Sequence, residues 1–344
     1  MRALTFVGAG KLAWRETADA CLTGAGQAVV RPLAVATCDL DEMIVAGRSP
    51  FSPPFVIGHE GVAEVVDVAD DVRSIQPGDR VLVPFQINCG HCRACREGRT
   101  GNCTRVAPAS TYGFGFGEEG TRWGGFLADL VGVPYADAML IPLPDTISPE
   151  AAASASDNIT DGYRCVAPAL AARPGASVLV LGGGSSGSVG LYATAQAKAL
   201  GSERVLYLDH DPGRRAIAEA FGAETLDGIP DKLDGSFPIA VDARGEIAGL
   251  ELALNSLSRD GVCTAAAMYL DGAALSGVPL LTLYAKGTTL VTGRGHVRRD
   301  APEVIDLIAS GRLDPSLVTT RVVSFDDAPA ALVEGGYTKL VFTP

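Results

Sequence analysis

The stretch Ser177-Val-Leu-Val-Leu-Gly-Gly-Gly-Ser-Ser-Gly187 decides how the second half of this 344-residue chain folds. An apolar run makes a buried strand, a glycine turn follows at once, and an Ala-rich helix from Gly190 to Leu200 stands behind it. In that context the glycines fit the G-x-G-x-x-G fingerprint, where a tight turn lets the backbone approach a pyrophosphate at a helix N-terminus. Gly182, Gly184 and Gly187 satisfy one register, Gly190 permits another one turn on, and the sequence leaves both open. The next strand, Arg204-Val-Leu-Tyr-Leu, runs into Asp209, about 20 residues on, where a carboxylate can bind both ribose hydroxyls and repel a 2′-phosphate. NAD is therefore expected over NADP. Arg214 and Arg215 stand close enough to soften that preference, and plain solvation of a helix surface explains them equally well.

Working outward, strand–helix alternation begins near Pro174 and implies a parallel sheet with helices on its faces. Asp211-Pro212 opens a helix that Gly222 closes, and further strands fit Ile239-Ala-Val, Val262-Cys-Thr-Ala-Ala-Ala and Lys339-Leu-Val-Phe. Asp300-Ala-Pro-Glu303 reads as a capping box for a helix ending at Gly311. Residues 1 to about 148 differ: short β-branched runs such as Gly61-Val-Ala-Glu-Val-Val-Asp-Val alternate with Gly and Pro, as in a small barrel-like domain. The chain is thus α/β, with a β-rich domain over 1–150 and a doubly wound parallel-sheet domain over 151–290. The segment 291–344 completes the sheet edge and returns to the first domain.

The charge of −12 argues against nucleic acid and anionic membrane surfaces, which reward clustered Lys and Arg. No apolar stretch reaches the roughly 18 residues of a spanning helix, and the start, Met1-Arg-Ala-Leu-Thr-Phe-Val-Gly, reads as a first strand rather than an export signal. Eight cysteines then point to metal or redox use in a reducing, cytoplasmic setting. Four of them lie together in Cys89-Gly-His-Cys92-Arg-Ala-Cys95, closed by Cys103. Four thiolates so spaced can enclose a structural zinc at about 2.3 Å each. A ferredoxin cluster would place its fourth cysteine sooner and follow it with proline, whereas Thr104 and Arg105 follow Cys103.

Cys38, in Ala36-Thr-Cys38-Asp-Leu-Asp41, and His59, in Gly58-His59-Glu60-Gly61, lie in the β-rich half. Together with the cysteine run, the glycine turn, Trp123-Gly-Gly-Phe126, Val133-Pro-Tyr-Ala-Asp-Ala-Met-Leu and Ser310-Gly-Arg-Leu-Asp-Pro, they resemble the zinc-dependent medium-chain alcohol dehydrogenases over essentially the whole chain. The resemblance implies a GroES-like catalytic domain and a Rossmann NAD-binding domain. It also implies two zincs per chain, NAD, and a small alcohol or carbonyl substrate. Cys38 and His59 match two catalytic-zinc ligands. The third place reads Ser156-Asp157-Asn-Ile-Thr-Asp-Gly-Tyr163, which makes Asp157 the candidate, as in the formaldehyde-dehydrogenase-like branch. The same resemblance places Asp41 behind the His59 imidazole, Glu60 near the metal, Phe85 in the substrate wall and Lys339 at the cofactor pyrophosphate. Asn158 and Trp123 join Phe85 as pocket residues, with Tyr112 and Phe114 as further aromatic candidates; Trp123, Tyr112 and Phe114 are equally suited to the core.

Three positions depart from the resembled pattern. The usual Ser or Thr of the proton relay is Leu40, its downstream partner is Met43, and Asp161 replaces a threonine beside the nicotinamide. Asp39 or Asp161 acting through water, or a substrate that supplies its own acid or is a hydrate, would restore the relay. Failing both, the chain has lost ordinary turnover. The reading is an NAD-dependent, zinc-containing alcohol dehydrogenase, and its rival is an NAD(H)-binding regulatory protein on an inactive scaffold. A zinc-free quinone or enoyl reductase is disfavoured by both cysteine sites. The family pairs through the edge of the nucleotide sheet, so a homodimer or homotetramer is expected through the apolar segment Gly277 to Tyr284.

Overall fold

The computed structural model describes residues 1–269 and 278–344. They divide into two units, Met1–Thr160 with Gly295–Pro344, and Asp161–Arg294. Residues 151–160, expected with the nucleotide domain, belong with the β-rich unit.

In the first unit the longest strands are Ala28–Ala36 and Glu60–Val68, paired antiparallel. Pro32 has no N–H to give the ladder, and the register slips between Pro32 and Ala34. Recovered register then sets Ala36 opposite Glu60, so Cys38 and His59 emerge at the same end of the sheet. The sheet continues through Arg80–Val83 and Ile141–Pro142 on one side, and through Leu340–Thr343 and Arg321–Ser324 on the other. A smaller sheet joins Lys11–Glu16, Arg2–Gly8 and Phe55–Val56. The core between them holds Leu4, Phe6, Ile44, Tyr112, Phe126 and Phe342, all buried. Two motifs of the sequence meet there. Phe126 N–H donates to Gly58 O at 2.8 Å, and the Phe126 ring lies where any Cβ on Gly61 would be, 2.6 Å away. Gly58 also has φ +96°, so no other residue suits either flank of His59-Glu60.

The second unit is a six-stranded parallel sheet. Its strands in chain order are Val178–Leu181, Val205–Asp209, Glu224–Asp227, Phe237–Asp242, Leu257–Ala265 and Thr289–Thr292, and in space they lie third, second, first, fourth, fifth, sixth. That order is the doubly wound arrangement of dinucleotide-binding sheets, with a switch point beside the first strand. The helix after the glycine turn is Ser188–Ala199, and the next is Pro212–Ala220, whose N-cap Asp211 accepts the Arg214 N–H at 2.8 Å. The late helix is corrected. It runs Val297–Ala309, starting a turn before the expected cap, with Pro302 inside it. Asp300 pairs with Arg299 instead of capping, and the first-turn N–H of Val297 is met by Gln86 Oε1 at 3.3 Å. Among the described residues no helix is long and apolar enough to cross a membrane.

Candidate metal centres and nucleotide cradle

Cys89, Cys92, Cys95 and Cys103 bring four sulfurs within 4.8 Å of one another. Tetrahedral zinc with bonds of about 2.3 Å asks for sulfur separations of about 3.8 Å, so small adjustments close the cage. The loop is wound to suit this. Cys92 caps the short helix Arg93–Arg96 and accepts the Cys95 N–H, while the Cys92 N–H points at Cys89 Sγ. All eight cysteines are free thiols. The N–H groups of Cys95 and Thr104 lower Cys92 to about 5, whereas burial and the neighbouring thiol raise Cys95 to about 12. Thiols pushed apart in this way are what remain without a cation, and a dication favours the thiolate form at its ligands. Cys103→Ser should therefore halve the metal content and lower the melting temperature, read by elemental analysis and calorimetry on the same sample.

A second donor set combines Cys38, His59, Glu60 and Asp157, again within 4.8 Å. Cys38 is the N-cap of the helix Asp39–Val45; its Sγ accepts from Leu40 N–H at 3.2 Å, and Asp41 Oδ2 reaches back to the Cys38 N–H at 2.7 Å. The other oxygen, Asp41 Oδ1, stands 3.8 Å from His59 Nδ1, and Asp157 Oδ2 stands 3.4 Å from His59 Nε2. Asp157 follows the turn Ala153–Ser156, which is pinned to the sheet because Ser156 Oγ accepts the Gly61 N–H at 2.7 Å. Hence three separate segments are locked at one point.

This set fits a cation on its own chemistry. His59 is fully buried, yet neither ring nitrogen has a hydrogen-bond partner, nor does Asp41 Oδ1. Burial opposes the His59 imidazolium, but Asp41, Asp157 and Glu60 outweigh it and raise the group to about 9. Burial lifts the Cys38 thiol well above its ordinary value, and the surrounding carboxylates lift it further. Anionic donors crowded out of water, around an imidazole that would take a proton in place of a metal, are what a zinc pocket requires.

Lys339 has the least expected surroundings. Its ammonium is fully buried in the first unit, donating to Thr37 O, to Asn158 Oδ1 at 2.8 Å and to Glu60 Oε2 at 3.1 Å. The ammonium thus forms a buried ion pair behind the metal donors, partners the sequence did not disclose. Asn158 is tied into the same cluster, its Nδ2 donating to Asp157 Oδ2 at 3.2 Å, so it offers the pocket no spare polar handle. Burial lifts Glu60 to about 8 although Lys339 pulls it down.

Phe85 stands edge-on to His59 with centroids 5.7 Å apart, and Phe114 approaches the same ring at 4.9 Å. Tyr112 is a core residue edge-on to Phe126, and Trp123 packs on that core with the Arg122 guanidinium over its ring. Phe51 and Phe116 were missed. Phe51 meets Phe114 at 4.9 Å and Phe116 meets Phe51 at 5.0 Å, and the only hint was an aromatic in the proline-rich loop Ser49-Pro-Phe51-Ser-Pro-Pro-Phe55. Asp39 is half-buried at the start of its helix, and Leu40 packs against the core. Asp161, in the second unit, is bound by Arg164.

In the second unit Gly187, with φ +76°, caps the helix after the turn. A Cβ on Gly182 would meet Tyr207 Oη at 2.2 Å, and one on Gly190 would press on Gly182 Cα at 3.3 Å, so Gly190 serves helix–strand packing. Gly184 also carries a positive φ. Asp209 is buried at the strand end, and its oxygens accept from Tyr207 Oη, Asp211 N–H and the Arg214 guanidinium (2.7 and 3.0 Å). Burial opposes its charge, but Arg214 more than offsets this and holds the carboxyl below its usual value. Tyr207 was overlooked, although two residues before Asp209 on a strand means the same sheet face.

The comparisons agree with this geometry. The family described as "Alcohol dehydrogenase GroES-like domain" matches residues 24–145. A probable zinc-binding alcohol dehydrogenase of Mycobacterium tuberculosis is 31% identical over 337 residues, 95% of this chain and 83% of that protein. A glutathione-independent formaldehyde dehydrogenase of Pseudomonas aeruginosa is 38% identical over 207 residues, 58% of this chain and 50% of the relative. The solved alcohol dehydrogenase from Thermus sp. ATN1 superposes with a TM-score of 0.87 at 29% identity, covering 100% of this chain and 99% of that one. With this fold, a four-cysteine loop and a separate buried sulfur–imidazole–carboxylate set, the chain belongs to the zinc-dependent medium-chain alcohol dehydrogenases. It is a zinc-type oxidoreductase.

Proposed function

We propose that the protein exchanges a hydride between an alcohol or its carbonyl and NAD, with Cys38, His59 and Asp157 holding a catalytic zinc and the four-cysteine loop a structural one. One observation carries the reading: a thiol, an imidazole and two carboxylates from distant parts of the sequence lie within 4.8 Å in a buried site. Bound there, zinc supplies Lewis acidity toward the substrate oxygen, and NAD supplies the hydride acceptor. Asp41 orients His59 from behind, and Lys339 retains Glu60 beside the donors. Phe85 and Phe114 exclude water from the imidazole face. Leu40 and Met43 carry no exchangeable proton, and Arg164 occupies Asp161. Asp39, half-buried next to Cys38, is the carboxylate we assign to accept the alcohol proton through water.

For the cofactor, Gly182–Gly187 would receive the pyrophosphate and Asp209 the adenosine ribose, at the expense of its Arg214 pairing. Asp209→Asn is expected to weaken NADH binding at least tenfold and to bring NADPH within a few-fold of NADH, because Arg214 then faces a 2′-phosphate unopposed. Fluorescence titration of both nucleotides measures this, and an unchanged NADH affinity would remove Asp209 from the site. For assembly, the helix Leu280–Lys286 exposes Leu280, Leu281 and Tyr284, and it is where we place contact with a second copy. Gly277, the start of the expected segment, lies outside the described residues. Sedimentation of Leu281→Asp against the parent chain tests the assignment.

The activity is tested by NAD reduction with a panel of alcohols and aldehyde hydrates while zinc is quantified. Two zincs, tight NADH binding and no turnover would favour the regulatory reading, which Leu40 supports.

A further inference from the structure

We infer that the substrate is an apolar alcohol or aldehyde, aromatic or unsaturated, rather than formaldehyde hydrate or a polyol. This rests on the dehydrogenase reading above and specifies its substrate class.

The argument starts from the rings beside the donor set. Phe85 and Phe114 both meet the His59 ring, and they lie 6.0 Å from each other. Phe114 continues to Phe51 at 4.9 Å, and Phe51 to Phe116 at 5.0 Å. Phe85 and Phe51 are buried, Phe114 is half-buried and Phe116 is 56% exposed. An unbroken aromatic series therefore leads from the metal donors to solvent. Offset and edge-on ring contacts reward a flat, π-rich guest beyond the area it buries.

Apart from Asp39, assigned above to the proton, the polar side chains beside the donor set that a hydrated or polyhydroxylated substrate would need are committed elsewhere. Asn158 is bound by Lys339 and Asp157, and Glu60 by Lys339. Thr111 Oγ1 donates to Phe114 O at 2.7 Å, and the position beside Cys38 that could carry a hydroxyl is Leu40. A polyol entering along these rings would leave hydroxyls without partners, a penalty that an apolar guest escapes.

The test is a substrate series on the unmodified protein with NAD: ethanol, butanol, hexanol, benzyl alcohol, cinnamyl alcohol, glycerol and formaldehyde. kcat/KM should rise roughly three- to fourfold per methylene, with benzyl and cinnamyl alcohol about 100-fold or more above ethanol. Phe116→Ala, at an exposed position, should lower cinnamyl alcohol about tenfold relative to ethanol, mainly through KM. A best substrate among formaldehyde and glycerol, or a flat chain-length profile, would overturn the inference. Calorimetric titration of the zinc-loaded protein with benzyl alcohol and ethanol keeps the two proposals apart. If nothing is turned over, benzyl alcohol binding at least tenfold more tightly still supports the aromatic wall while the dehydrogenase reading falls. Equal affinities would overturn the wall.

Discussion

His59→Ala is expected to lower kcat/KM by about 10³-fold or more and to take zinc from two ions per chain to one. The imidazole is fully buried, with one nitrogen toward Asp157 and the other toward Asp41. Removing it takes away the neutral donor and leaves one sulfur and the neighbouring carboxyl groups to hold the cation without it. A Lewis acid is worth several kcal/mol to a developing oxyanion, and each 1.36 kcal/mol is a factor of ten, which gives the estimate. Asp41→Asn should be milder, about 10- to 100-fold, because it disturbs only the orientation of the ring. The cysteine loop should retain its ion in both variants. Retention of both ions by His59→Ala would show that Cys38, His59 and Asp157 do not share a metal.

Lys339→Met should be the most damaging single change to stability that touches no metal ligand assigned above. Lys339 and Glu60 are both wholly buried, and no water replaces the ammonium once it is gone. Stranding one member of such a pair costs about 3–5 kcal/mol. The penalty should grow with pH. Burial already raises Glu60 from 4.5 to about 8 against the pull of Lys339, so its favourable contribution is complete below 4.5 and is lost as pH climbs through 8. Without Lys339 the carboxyl rises further. Near pH 6 it keeps its proton in both proteins, and the cost falls to about 1–2 kcal/mol of lost hydrogen bonds to Thr37 and Asn158. Near pH 9 the parent has an ionised, paired Glu60 and the variant does not, so the full penalty applies. Denaturant melts of chelator-treated protein at the two pH values measure this. A pH-independent difference would mean that Glu60 is not the group left stranded.

What the sequence discloses follows from how local each signal is. The strand–turn–helix at Ser177–Gly187 and the cysteine run each lie within a few turns of chain, so spacing alone reports them. Cys38 and His59 were legible only through resemblance, since their meeting depends on a strand register that Pro32 shifts. Lys339 misled because a lysine at the start of a strand is ordinarily exposed. Only the fold sets it against Glu60 and Asn158. Asp300-Ala-Pro-Glu303 misled in the opposite way: a strong local signal was overridden when Gln86 satisfied the helix start a turn earlier. Phe51 and Phe116 were hidden because Phe51, which links Phe114 to Phe116, sits on a distant loop that shares no period with them.

The pairing of residues 60 and 339 also sets an order for biogenesis. These positions are 279 residues apart, so on the ribosome the acid is made long before the base that neutralises it. The cysteine loop closes within fifteen residues and can capture its ion during translation. The buried acid beside His59 must wait for the strand Leu340–Thr343 to dock. A chain arrested before that strand would carry one finished metal site and one half-built, hydrated site, and quality-control proteases would find their opening at the latter.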